Sequence, residues 1–267
     1  MAKKLQILVT NDDGIASLGL WKLAEAFSSV GDVLVSAPAQ ERTGTGTAMT
    51  LGRPLAVQAV MSSVDGVKAF AVNGTPCDAV VTALRRLINN PIDIVASGIN
   101  AGANIGSGIL TSGTVGAAMH AHLLGLTAVA FSLEYRSKDD MHWDTALEVA
   151  RQFAQRLADG SIPKGAFLNV NVPAVTLQDV QGVRVTTVSP VNPYSVVELE
   201  EKEGQVRYTL RRRDDIEYDD DTDVWAVHRD YISVTPLQGD IVDRDRIADV
   251  EEWLTDLQDG FAKSTPL

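Results

Sequence analysis

Two adjacent carboxylates, Asp12 and Asp13, follow the short apolar run Ile7, Leu8 and Val9 and precede Gly14. Neighbouring anions repel, and burying them is costly unless a cation or hydrogen bonds compensate. A hard divalent metal is the simplest compensation. The competing reading is that one aspartate caps a helix starting near Ser17 while the other is solvated. Two further loops carry complementary groups. The stretch APAQERTGTGTAMT contains Thr43, Gly44 and Gly46, and SGINAGANIGSGILTSGT contains Asn100, Asn104 and five glycines from Gly98 to Gly113. Ser112, Gly113 and Thr114 then open an apolar helix, where unpaired N–H groups and the helix dipole favour an anion. A plain Ser/Thr cap without a ligand competes there. Asp12, Asp13, Thr43 and Asn100 make an all-oxygen set suited to Mg²⁺ or Mn²⁺ rather than zinc. Gly44, Asn104, Ser112, Gly113 and Thr114 offer donors for a phosphate beside such a metal.

These groups meet only if the intervening elements bring them to one place. The run ending at Val9 reads as a strand buried on both faces of a parallel sheet. Leu18, Trp21, Leu23, Ala24 and Phe27 recur at helical spacing, Gly31 stops the helix, and Asp32 to Ala37 reads as a second strand. That βαβ unit implies a parallel pair. Leu55 to Val60 and Val67 to Val72 look like a hairpin beside the sheet. NGTPCD turns into a helix that Asn90 and Pro91 break, and Ile92 to Ala96 is a further strand. A helix over Val115 to Leu124, a strand over Thr127 to Leu133, a helix over Trp143 to Leu157 and a strand over Phe167 to Val172 follow. The expected fold is α/β, a Rossmann-like, mostly parallel sheet flanked by helices. Ligands of such sheets bind beyond the carboxyl ends of the strands, where the three loops would converge.

A core over residues 1–182 is expected to be followed by an extension over 183–267 with a different pattern. VRVTTV and IEYDDDTDVWAV read as β-rich, Glu198 to Arg213 as a long hairpin turning near Gly204, 231–237 as a return strand, and 242–257 as a terminal helix. A projecting hairpin tends to pair with a partner subunit, because exposed strand edges otherwise invite aggregation.

The chain has 267 residues and a net charge of −12. From Glu198 onward there are 20 acidic and 9 basic residues, so the excess is C-terminal and the front of the chain is nearly neutral. An anionic substrate is therefore not repelled from the front half, and no basic stripe marks a nucleic-acid groove. No run approaches the roughly 20 apolar residues of a membrane span, and the first residues lack a signal-peptide core. The lone Cys77 fits a reducing compartment, with the cytoplasm as default.

LVTNDDG, the AP…RTG loop, VNGTPCD, SGINAGANIG and SGTVGAAM, in that order and spacing, resemble the SurE (survival protein E) family, and the resemblance extends to YISVTPL near the end. It implies a metal-dependent phosphatase acting on nucleoside 5′- and 3′-monophosphates, with polyphosphate as a further substrate to test. It implies one divalent ion per subunit held by Asp12, Asp13 and Asn100. Asn104, Ser112 and Thr114 fall on active-site positions, with Asn11 among the substrate contacts. Thr43 stands where the family usually has a serine ligand, so the hydroxyl is retained. Ser107, Gly108 and Thr111 replace an acidic pair and an aromatic residue common before SGT, and His120 replaces a common acidic residue. A homodimer with exchanged C-terminal elements, or a tetramer of such pairs, is also implied.

Other chemistries lose on residue inventory. A haloacid-dehalogenase-type phosphatase needs two aspartates separated by one residue, and an LmbE-like zinc deacetylase needs nearby histidines. His120 and His122 are two apart on a helix and face different ways. There is no GxxxxGK[ST], GTGTAM fails the dinucleotide fingerprint at its third glycine, and Ser112 lacks a nucleophile elbow. The rival from another class is a non-catalytic nucleotide- or phosphate-binding module.

Overall fold

The computed structural model describes residues 4–88, 90–135, 137, 141–191, 194–202, 205–212 and 218–254. The first strand, β1 (Leu5–Thr10), shows why the fold has three layers. Ile7 and Val9 pack into one apolar cluster and Leu8 into another, each side chain 0% exposed. Alternation along a pleated strand sends neighbours to opposite faces, so a wholly apolar strand must be covered twice. On the first face lie α1 (Leu18–Ser28) and α4 (Trp143–Ala158), through residues such as Leu20, Phe27 and Leu147. On the second lie α2 (Pro76–Thr82) and α3 (Gly113–Leu123), through Val80, Val115 and Ala118.

The other strands of the main sheet are β2 (Gly31–Pro38), β3 (Val57–Val60), β4 (Lys68–Val72), β5 (Ile94–Ala101), β6 (Thr127–Leu133), β7 (Phe167–Val172), β8 (Gly182–Val185) and β11 (Tyr231–Pro236). Their order is β3-β4-β2-β1-β5-β6-β7-β11-β8. From β4 to β7 all neighbours are parallel, whereas β3 and β11 pair antiparallel with β4 and β7. The chain builds outward from β1 through β2 to β4, then returns to the other side of β1 as β5. That reversal between β1 and β5 is a topological switch point, where adjacent loops diverge and leave a crevice.

Local chemistry fixes the elements that frame this crevice. Ser17 caps α1 by accepting from the Leu20 N–H. Thr75 and Asp78 form a reciprocal capping box at α2. β5 runs farther than expected, through Gly98 and Asn100 to Ala101, with a register shift against β6 between Ser97 and Asn100. Gly98 adopts φ +129°, and a Cβ there would lie 2.2 Å from the Phe131 carbonyl oxygen. Only glycine allows this irregularity, which re-aims the strand end that carries Asn100.

The C-terminal reading needs two corrections, at α5 and at the terminal helix. The segment around Val224, read as β-rich, contains the helix α5 (Asp223–His228), because Thr222 caps it and Val224, Ala226 and Val227 have a core to enter. β8 and β11 join the main sheet. The helix expected over 242–257 is α6 (Ile247–Trp253), preceded by a 3₁₀ turn at Arg244–Arg246; positions from 255 lie outside the described residues. The hairpin is present as β9 (Tyr194–Lys202) and β10 (Gln205–Arg212), a separate two-stranded sheet whose expected turn at Gly204 lies outside the described residues. By contacts the chain forms two units, Met1–Leu237 and Gln238–Leu267, with α6 in the second.

Candidate active site at the β1/β5 switch point

Asp12 and Asp13 leave the sheet at the carboxyl end of β1. Asp12 is 2% exposed and sits under the N-terminus of α3. It accepts a hydrogen bond from the Thr114 hydroxyl. Burial pushes its pKa up, and hydrogen bonds from Thr114 and from the backbone of Asp12, Thr114 and Gly113 offset part of that. The helix end offered to an anion by the sequence is thus shared with a protein carboxylate. Gly113 makes this approach feasible, since a Cβ there would fall 2.7 Å from the Asp12 Cβ. Gly116 does the same for the second loop: a methyl would meet the Gly46 carbonyl oxygen at 2.2 Å.

Asp13 accepts from the Ala101 N–H at 3.0 Å, which ties the couplet to the residue after Asn100. Its pKa is raised to about 6, first by burial and then by the charges of Asp12 and Glu41, against the Ala101 bond. Among the described residues, no lysine, arginine or histidine forms an ion pair with either aspartate. The couplet is a concentration of negative charge that no ion pair among the described residues offsets.

Asn100 donates through Nδ2 to the Gly102 carbonyl at 2.7 Å, which leaves its amide oxygen as the ligand end. The second loop reaches the couplet through its backbone, with Arg42 N–H donating to the Asp12 carbonyl at 2.7 Å. Thr43 itself is exposed and its hydroxyl donates to Glu41 at 2.7 Å, so its link to Asp13 runs through the Glu41 carboxylate. Gly44 is exposed at φ +76° with no atom near its missing side chain. Ser112 caps α3, accepting from the Val115 N–H at 3.1 Å, which leaves its hydroxyl proton available to donate.

Asn11 holds the turn after β1, donating to the Gly14 carbonyl and to Ser17 Oγ at 3.1 and 2.8 Å. Asn104 is bracketed by groups that the sequence reading missed. Its N–H donates to Asn171 Oδ1 at 2.8 Å, and its carbonyl accepts from Asn169 at 2.8 Å and Asn171 at 3.0 Å. Its own Nδ2 donates to Ser132 Oγ at 2.8 Å. The available signal was two asparagines two apart at the end of a buried strand, FLNVNV, where both side chains face the same way.

Thr10 Oγ1, Asn11 Oδ1, Ser97 Oγ and Asn169 Oδ1 are buried without a protein hydrogen-bond partner. Thr10 and Ser97 are register partners at the ends of β1 and β5. Uncompensated polar atoms at one sheet edge, beside two unpaired carboxylates, fit a site made for a charged ligand. Among the described residues no three His, Cys, Asp or Glu side chains are grouped to hold a metal, so any cation here uses two carboxylates with amide and hydroxyl oxygens. That is a hard, oxygen-only donor set. A cavity lined by Lys4, Gly31, Asp32 and Lys68 lies at the opposite, amino-terminal edge of the sheet.

A doubly wound α/β sheet with an acidic couplet and a glycine-rich crevice at its switch point defines a small-molecule-binding protein of the Rossmann-like class. The model of the family described as Survival protein SurE matches residues 7–193, and the chain belongs to that family. It is 40% identical over 235 residues to the 5′-nucleotidase SurE of Dehalococcoides mccartyi, covering 87% of this chain and 88% of the relative. It is 34% identical over 256 residues to the protein of the same name from Vibrio vulnificus, covering 95% and 97%. The crystal structure of the SurE protein from Aquifex aeolicus superposes with a TM-score of 0.77 at 30% identity, covering 93% of this chain and 99% of that one.

Proposed function

We propose that this protein is a divalent-metal-dependent nucleotidase that hydrolyses nucleoside 5′- and 3′-monophosphates to nucleoside and phosphate. The observation that carries this reading is the meeting of Asp12, Asp13, the strand end bearing Asn100 and the N-terminus of α3 at one switch point. The name of the relatives, 5′-nucleotidase, supports the substrate class. Asp12, Asp13, Asn100 and Thr43 would hold one Mg²⁺ or Mn²⁺, which when bound supplies Lewis-acid polarisation of a phosphoryl oxygen.

The protein's own groups do the rest. Asp13, with a pKa lifted toward neutrality, orients the attacking water and accepts its proton. Water oxygen bonds to phosphorus, the ester P–O bond breaks, and the nucleoside oxygen leaves and takes up a proton. The N–H of Gly44, the Ser112 hydroxyl and the second amide proton of Asn104 bind the phosphoryl oxygens and stabilise developing charge, while Gly113, Thr114 and Asn11, whose donors go to Asp12, Gly14 and Ser17, hold the couplet and its turn in place.

Phosphate release from a panel of nucleoside 5′- and 3′-monophosphates and polyphosphate, with Mn²⁺ or Mg²⁺ and again after chelation, tests this. The expected result is metal-dependent turnover of nucleotides that chelation abolishes. Tight nucleotide binding without turnover would instead establish the non-catalytic module.

The hairpin supports a homodimer or homotetramer built through the C-terminal extension, and the cytoplasm remains the proposed location. Val196 and Tyr208 are 66% and 62% exposed on β9 and β10, and an isolated two-stranded hairpin is at best marginally stable in water. Deleting residues 196–213 should lower the mass found by light scattering to that of a smaller assembly, and an unchanged mass would reject the arm as the contact. No described helix is long and apolar enough to cross a membrane. Cys77 is buried, its thiol pushed up to about 12 by burial and by Asp78, which makes it unreactive.

A further inference from the structure

We propose that Tyr135 is the platform on which the substrate's nucleobase stacks, in an open slot beside Gly102. This deepens the nucleotidase reading and rests on it. Tyr135 lies two residues beyond the end of β6 and is 39% exposed. A Cβ built on Gly102 would have two neighbours within 4 Å, Tyr135 Cε1 and Asn100 Nδ2, each at 3.7 Å. The tyrosine ring therefore borders the same point in space as the amide of the metal-loop asparagine. Gly102 has φ +132°, a conformation that side chains rarely adopt, so no side chain projects from this position toward the ring.

The slot is also held at a fixed distance from the chemistry. Gly102 N–H donates to the Leu133 carbonyl at 2.8 Å, which locks the end of β5 to the end of β6. The preceding Ala101 N–H is the group bound to Asp13. One peptide unit thus links the residue bound to the proposed proton-accepting carboxylate, Asp13, to the slot.

Among the described residues, the other exposed aromatic side chains are Tyr208 on the separate hairpin and Trp253 in the 238–267 unit. The stretch before Ser112 holds Ser107, Gly108 and Thr111 and no aromatic ring. An aromatic face accepts any base, since every base has a π-face. The site should therefore discriminate bases weakly.

The test compares adenosine 5′-monophosphate with ribose 5-phosphate, which lacks the base, in the wild type, Tyr135→Ala and Tyr135→Phe, by steady-state kinetics and by calorimetric titration. Tyr135→Ala should raise KM and weaken binding for the nucleotide by about 10- to 100-fold, the size of a lost base–aromatic stack. The same change for ribose 5-phosphate should be at least about tenfold smaller, kcat should stay within about twofold, and Tyr135→Phe should restore wild-type values because the ring is what counts. Equal losses for both ligands would show that the ring merely supports the loop and would overturn the proposal, as would no loss for either. So would a nucleotide-selective loss from Leu110→Ser, at the large exposed apolar side chain of the stretch before Ser112, in place of Tyr135→Ala. A wild type that turns over neither ligand, yet loses nucleotide affinity with Tyr135→Ala, would sink the hydrolase reading while upholding the platform.

Discussion

Replacing Asp13 with asparagine should lower phosphate release by about 10²- to 10⁴-fold, the range typical of removing a general base, while leaving the metal-free fold at least as stable as the wild type. The two halves of this expectation have one cause. Asp13 is buried near Asp12 and Glu41 without an ion-pair partner among the described residues, and this burial and repulsion lift its pKa to about 6. An asparagine of the same shape can keep the Ala101 bond through its amide oxygen while removing the repulsion. Strain of this sort at a functional site typically trades stability for activity. Turnover within about tenfold of the wild type would reject Asp13 as part of the site.

The same group sets a pH dependence whose sign follows from linkage. Its pKa in the folded, metal-free protein is raised from 3.8 to about 6, so the folded state binds the proton more tightly than the unfolded chain. The stability it contributes is fully present below the unfolded value and is lost as pH rises through about 6. Thermal melts in chelator should therefore fall between about pH 5 and pH 7.5 by more in the wild type than in Asp13→Asn. Added Mn²⁺ should raise the wild-type midpoint more at the higher pH, since the cation binds the deprotonated carboxylate.

What the sequence disclosed and what it hid divide along a physical line. The switch-point fold was legible because it is written in local signals. Examples are the double-sided apolar run Ile7–Val9, the helical spacing from Leu18 to Phe27, and the Ser17 and Ser112 caps. The acidic couplet was legible because a pair of carboxylates after a buried strand demands compensation. Groups whose meaning depends on a distant partner were not. Asn169 and Asn171 look like ordinary polar strand residues until Asn104 is seen between them. Glu41 looks like a solvated loop charge until it is found acting on Asp13. Val224, Trp225 and Val227 have strand-like propensity, and only the Thr222 cap and the packing of Val224 and Val227 on Ile105 make α5 a helix.

That packing leads to the second large effect, at a residue far from the couplet in sequence. Asp223 is fully buried, and its carboxylate accepts from three backbone N–H groups: Gly106 at 2.8 Å, Ser189 at 3.0 Å and Val224 at 2.8 Å. It pins the loop between Asn104 and Ser112 to the chain that enters α5. Burial raises its pKa, and these donors oppose the rise. Asp223→Ala leaves the Gly106 and Ser189 donors without their acceptor, and each orphaned buried donor costs about 1–3 kcal/mol. The variant should therefore lose roughly 3 kcal/mol or more in urea unfolding, a large share of a typical domain's stability. Asp223→Asn, which keeps the shape and one acceptor oxygen, should lose less. If the carboxylate acts as this pin, hydrogen exchange at the Gly106 amide should accelerate in both variants beyond what the global loss explains. Exchange that merely tracks global stability would show that Asp223 holds α5 alone and that the loop carrying Asn104 is positioned by Asn169 and Asn171 without it.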